Sequence, residues 1–258
     1  MFIYILNIRN IGVTLVIYIL TLSQAFAINL TSDLDKPLPA VDIKNCRVAN
    51  YHLQYNAFKG HIKLGRATKQ LSHESQTSQA TLLSTVRVSA GPLKFVQEEG
   101  SVLSQYDTLG FTTSTYTYKS KKPFKKFTRK EYAVNNLSPE KQSLLKTKTL
   151  LDPLAVYEHL RELVCSGLRE DVNFKIKEDD GEQTYQFIYK GLQQLTLNKG
   201  TINTILLVRT RQNSSRETSI WFDIDKAFLP IKIVQKKDGK LQARLEATSV
   251  KFSLLTNE

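Results

Sequence analysis

The stretch LDPLAVYEHLRELVCSG, Leu151 to Gly167, decides the fold, because it is the clearest helix in a chain that otherwise reads as strand. Asp152 suits the N-cap, where a short side-chain oxygen accepts from the first orphan N–H groups. Pro153 suits N1, where its missing N–H costs nothing. Val156, Tyr157, Leu160, Leu163 and Val164 recur at helical spacing and make one apolar stripe. Gly167 supplies the stop. The pattern predicts a helix over 152–166 with one face to bury. Upstream, Ser138-Pro139-Glu140 is a second start signal and predicts a short helical turn over 139–146.

On both sides of the helix the period falls to two. Tyr51, Leu53 and Tyr55 alternate with His52 and Gln54, so one face is aromatic and the other polar. Gly60 and Gly65 punctuate the next strand-like pieces, as a bend or a close backbone approach would require. Residues 67–90 are rich in Thr and Ser with alternating Leu and Val, Gly91-Pro92 marks a turn, and 93–118 continues the β pattern. Beyond the helix, Tyr185, Phe187 and Tyr189 alternate up to Gly191. Thr201–Arg211, Ser219–Ile224, Leu229–Gln235 and Leu241–Phe252 are further strands. Asp238-Gly239 is a strong type I′ hairpin signal. The expected architecture is mainly β: a curved antiparallel sheet or half-open barrel with one main helix, 152–166, packed against it.

The N-terminus carries one charge, Arg9, then an apolar run from Ile11 to Leu22, then Ala25-Phe26-Ala27. That is the order of an export signal with an A-x-A cleavage site. The expected organisation is a signal peptide over 1–27, an extended lead-in over 28–50 and one β domain over 51–258. An uncleaved N-terminal membrane anchor is the alternative, because Phe2 to Leu6 is also apolar. The expected location is the periplasm of a Gram-negative-type envelope. The chain has a formal charge of +12, and losing Arg9 lowers it to +11. Cys46 and Cys165 are a disulfide candidate in an oxidising compartment, with two separate buried thiols as the other reading. The absence of C-x-x-C argues against thiol-redox chemistry.

Motifs for other chemistry are missing. His52, His61, His73 and His159 are scattered, with no ligand spacing for a metal. No G-x-S-x-G, P-loop or dinucleotide fingerprint occurs, and no cofactor is expected. Asp223 and Asp225 stand two apart on a strand, as a carboxylate pair could, but they precede Lys226-Ala227-Phe228-Leu229-Pro230, where Asp commonly starts a turn. A hydrolase built on Asp223 with His159 is the weakest of the functional readings.

The run Tyr55-x-Ala57 with Gly60 and Gly65 is followed by Gly110-Phe111-x-Thr113-x-x-Tyr116 and Leu151-Asp152-Pro153-Leu154-Ala155. Next come Tyr189-x-Gly191, Leu195-Thr196 and Gly200, and finally Trp221-x-Asp223 with Leu229-Pro230-Ile231. This order resembles the DUF3108 family of exported bacterial proteins without an assigned activity. It covers roughly Tyr51 to Phe252. The Trp221-x-Asp223…Leu229-Pro230 segment also looks like the corresponding hairpin of LolA/LolB-type lipoprotein carriers. The resemblance implies a half-open β-barrel covered by helix around an apolar cavity. It brings no catalytic residues.

Together these readings lead to a non-catalytic envelope protein that holds an apolar or amphiphilic ligand, with Tyr55, Tyr116, Tyr157, Tyr189 and Trp221 as cavity candidates. The alternative is an assembly or scaffold protein with a filled core and a protein partner in the envelope. The basic stretch KSKKPFKKFTRKEY, Lys119–Tyr132, reads as a solvated hairpin on a sheet edge, with Phe124, Phe127 and Tyr132 inward and the lysines outward. Its functional reading is contact with an anionic membrane through Lys121, Lys122, Lys125, Lys126 and Arg129. Nucleic acid is not an expected partner behind an export signal.

Overall fold

In the computed structural model the segment beginning at Leu151 enters a helix surrounded by strands. The structure describes residues 48–74, 76–90, 92–104, 111–134, 150–197, 200–211 and 214–255. The expected signal segment, Cys46, Gly110 and the expected turn at 139–146 lie outside these residues. The described residues all belong to one compact unit.

Twelve strands form one antiparallel sheet. They are β1 (Val48–Lys59), β2 (Ile62–Glu74), β3 (Gln79–Ala90), β4 (Leu93–Ser104), β5 (Thr112–Lys121) and β6 (Thr128–Ala133). After the helix α1 (Ala155–Cys165) come β7 (Val172–Glu178), β8 (Gly181–Leu197), β9 (Gly200–Arg211), β10 (Arg216–Asp223), β11 (Leu229–Lys237) and β12 (Lys240–Leu254). The spatial order is β6-β5-β4-β3-β2-β1-β12-β11-β10-β9-β8-β7. Every neighbouring pair is therefore consecutive in sequence except β1 with β12, which run from Val48↔Leu254 to Phe58↔Arg244.

The sheet curls but does not close into a ladder. Its two edge strands meet through side chains: Lys130 of β6 pairs with Asp179 beside β7, and Tyr132 Oη donates to the Lys177 carbonyl at 2.9 Å. Leu151 adds a short parallel bridge to Ile176 on the β7 edge. The expected curved sheet with one main helix is what the structure contains.

Local chemistry accounts for the details. In β1, Tyr51, Leu53, Tyr55 and Ala57 are buried toward the helix, while Asn50, His52, Gln54 and Asn56 face outward. Gly65 lies where β3 crosses closest; a Cβ there would stand 2.0 Å from the Arg87 carbonyl oxygen. Asp238 and Gly239 both have positive φ, 51° and 71°, as a type I′ turn demands. The helix begins three residues later than the sequence pattern suggests, because Asp152 to Leu154 form a turn. Asp152 still does the capping: its Oδ1 accepts from the N–H groups of Leu154 and Ala155, both at 2.7 Å. Among the described residues no helix is long and apolar enough to cross a membrane.

Candidate functional site

The concave side of the sheet is occupied by α1. Val156, Leu160 and Val164 are fully buried and pack with Leu53, Phe187, Ile205, Leu207, Ile220 and Phe222 from four strands. The polar side of α1 is buried too. Arg161 is 0% exposed, Glu158 1% and Glu162 7%.

Arg161 holds this interior together. Its Nε donates to Glu158 Oε1 at 2.7 Å, and its Nη1 donates to the Ala227 carbonyl at 3.0 Å. Glu158 Oε2 accepts from Tyr51 Oη at 3.0 Å. Helix, β1 and the β10–β11 turn are thereby tied at one point. That turn is strained: Ala227 and Phe228 both sit in the left-handed region, with φ of 48° and 53°. A non-glycine residue there costs roughly 1–3 kcal/mol. The Arg161 bond and burial of the Phe228 ring offset that cost.

Burial shapes the protonation states around this point. The Glu158 carboxyl is pushed up by burial, but Arg161 and Lys69 outweigh that and hold it below its ordinary range. Lys69, itself buried, is pulled down to about 8 by desolvation. Asp152 is pushed up to about 6 by burial, opposed by the Ser101 hydroxyl and the two helix N–H groups. Ser101 Oγ donates to Asp152 Oδ2 at 2.5 Å. Burial also raises Glu99. Perturbed groups often mark active sites. Here the side chains that form the pairs are sealed beneath the helix, and their geometry fixes its position.

The expected cavity residues divide between the two faces. Tyr55 and Tyr116 are buried in the core, with Tyr157 and Tyr189 packed against it. Tyr55 Oη donates to the Pro230 carbonyl at 2.6 Å. Tyr157 Oη accepts from Arg209 at 2.5 Å. Trp221 follows Ile220 and precedes Phe222, both core residues, so it lies on the outer face. There its Nε1 donates to Gln193 at 3.4 Å and Lys232 stands over its ring. The structure thus brings four tyrosines to the helix side and sets the tryptophan apart.

Asp223 and His159 have separate surroundings. Asp223 accepts from the Asp225 N–H at 3.1 Å and from Lys226 Nζ at 2.7 Å, which is a turn-forming role. His159 stands edge-on between Phe111 and Phe174. Among the described residues no group of three His, Cys, Asp or Glu side chains is placed to hold a metal ion. Cys165 is buried at the end of α1 and disulfide-bonded.

Among the described residues, clefts open elsewhere, of which three stand out. One, of about 260 Å³, includes Asn56, Asp223, Lys226 and Glu246. A second, of about 310 Å³, lies at the β6–β7 seam between Tyr118, Lys130, Tyr132 and Asp179. A third, of about 690 Å³, runs over β1–β3 and is lined by Gln54, Arg66, Thr85 and Arg87 among others. None of the three is lined by a residue of α1.

The basic hairpin differs from its expected arrangement. Phe124 is 95% exposed and Phe127 60%, so both rings point to solvent beside the lysines. Tyr132 alone turns inward, stacking at 5.2 Å on Tyr116. The reason is that β5 ends at Lys121 and β6 begins at Thr128, so the intervening residues are loop and strand alternation does not govern them. Lys121, Lys122, Lys125, Lys126 and Arg129 are all exposed.

No family model and no curated protein matches the chain. Among solved structures it is similar to a beta-barrel-like protein of a domain of unknown function, DUF1849, from Brucella abortus. The two share 10% identity over 80% of this chain and 98% of that chain, with a TM-score of 0.47. No family model bears out the DUF3108 resemblance, and what the structure shows is its coarser content, one curled antiparallel sheet with a helix packed against it.

Proposed function

We propose that this chain is a non-catalytic protein of the cell envelope that acts through its outer surface, its barrel being filled by its own side chains. The observation that carries this reading is the seating of α1. Its apolar residues pack into the concave face, and its Glu158–Arg161 pair is locked to Tyr51 and to the Ala227 carbonyl. An acyl chain beneath the helix would have to displace this layer and strip a buried ion pair of its partners, which costs several kcal/mol. The export pattern ending at Ala25-Phe26-Ala27 supports the compartment.

Native mass spectrometry of protein purified from envelopes, with solvent extraction of the same sample, tests this. The expected result is the bare chain mass. A lipid or other amphiphile recovered at one per chain would overturn the filled-core reading and restore the carrier reading.

A further inference from the structure

The ladder places six connections at one end of the sheet. Because all neighbours are antiparallel, the turns β1–β2, β3–β4, β5–β6, β7–β8, β9–β10 and β11–β12 share one rim. Three of these tips carry the same composition. The β1–β2 tip has Ile62 between Lys59 and Lys63, with Ile62 68% exposed. The β3–β4 tip has Leu93 next to Lys94, with Leu93 39% exposed. The β5–β6 tip has Phe124 and Phe127 among Lys121, Lys122, Lys125 and Lys126. Four of the exposed large apolar side chains therefore lie on adjacent hairpins of a single rim, each beside a lysine and none beside an acid.

Phe124 adds an energetic argument. Its φ of 56° puts a bulky residue in the left-handed region, within a turn closed by the Lys125 N–H on the Lys122 carbonyl at 3.2 Å. The strain presents the ring outward instead of folding it onto the sheet. Across the seam the rim changes sign, since the β7–β8 tip carries Asp179 and Asp180. Basic residues return at the β9–β10 and β11–β12 tips, with Arg211, Arg216, Lys236, Lys237 and Lys240, but among the described residues the exposed large apolar side chains of this rim belong to β1–β6.

We propose that this half-rim docks on an anionic phospholipid bilayer. The rings of Phe124 and Phe127 and the side chains of Ile62 and Leu93 enter the headgroup–acyl boundary, and the lysines sit at the phosphates. The two interactions act together, as apolar area and basic charge do for interfacial segments. The outer face of β1, with Asn50, His52, Gln54 and Asn56, lacks the apolar band of a spanning barrel, so contact is by the tips. This deepens the surface-acting reading above and rests on it.

Flotation with vesicles of phosphatidylcholine alone, or mixed with phosphatidylglycerol, measures the docking. Wild type is expected to float with the mixed vesicles only. Changing Lys121, Lys122, Lys125 and Lys126 to Gln should weaken binding at least a hundredfold at low salt, at about fivefold per lysine close to the surface. Changing Phe124 and Phe127 to Ser should weaken it at least tenfold while leaving the thermal midpoint unmoved, since both rings are exposed.

A Trp221→Phe, Phe124→Trp variant reports insertion directly. Its emission should shift to the blue and be quenched by brominated acyl chains in mixed vesicles. Folded wild type that ignores both vesicle types would overturn the docking. So would a Phe124→Trp emission unchanged by vesicles. Either result leaves the bare-mass test of the filled core standing on its own.

Discussion

At the scale of the residue, Arg161 ties three parts of the architecture to one another. It is fully buried, charged, and joined to the helix, the sheet and a strained turn through Glu158 and Ala227. Arg161→Met leaves the Glu158 carboxylate buried against Tyr51 without its hydrogen-bonded cation and with Lys69 as the remaining nearby positive charge. Denaturant unfolding should show a loss of roughly 3–5 kcal/mol. Adding Glu158→Leu removes the stranded charge, and most of that loss should return. If the double variant were as unstable as the single one, the pair would owe its effect to packing and not to charge. Sequence did not reveal this residue. Glu158, Arg161 and Glu162 stand off the stripe formed by Val156, Tyr157, Leu160, Leu163 and Val164, which is where a surface helix keeps its charges. Helical periodicity separates polar from apolar faces but cannot say whether the polar face meets water or the far wall of a curled sheet.

At the scale of the element, α1 is anchored by a cap that sequence did disclose. Asp152 reads as an N-cap before Pro153, and its carboxylate does accept from the first free N–H groups. What sequence could not show is that this cap is buried, which pushes its carboxyl up to about 6 from 3.8 against the opposing hydrogen bond from Ser101 of β4. A raised carboxyl contributes most below its unfolded value and loses that contribution as pH rises through about 6. The slope between pH 4 and pH 6 is therefore downward for this group, by roughly 3 kcal/mol in total. Asp152→Asn keeps the capping oxygen and removes the titration. Stability measured across that window should lose this downward component, and the variant should be at least as stable as wild type at pH 7. An unchanged pH profile would show that Asp152 is not the group responsible. The β5–β6 hairpin teaches the opposite lesson. Apolar character alone points Phe124 and Phe127 inward, but the chain leaves the ladder at Lys121 and rejoins it at Thr128, and a loop between strands need not turn its rings to the core.

At the scale of the molecule, the strand succession was legible where a hairpin has its own local signal, such as Gly91-Pro92 or Asp238-Gly239. The closing pair was not legible. Nothing in residues 48–59 or 240–254 names the other as its partner, since both simply alternate. Yet this pair joins two meanders, β1–β6 and β7–β12, into one sheet. A chain shortened to end at Lys240 would leave Tyr51, Leu53 and Tyr55 along an unpaired edge. It should lose cooperative unfolding and gain binding of a dye for exposed apolar surface. Retention of a single sharp transition would mean that α1, not the central pair, holds the halves together.

The position of β12 also sets a clock. Ten of the eleven pairings can form from neighbouring hairpins as the chain emerges, because each needs only the strand just made. The central seam needs the last strand against the first, with nearly the whole chain between them. During synthesis, β1 must therefore wait with an open edge until Leu254 is delivered. A binding factor that shields the Tyr51–Tyr55 edge during that interval would determine how much of the protein reaches its finished form, whatever the stability of the finished form itself.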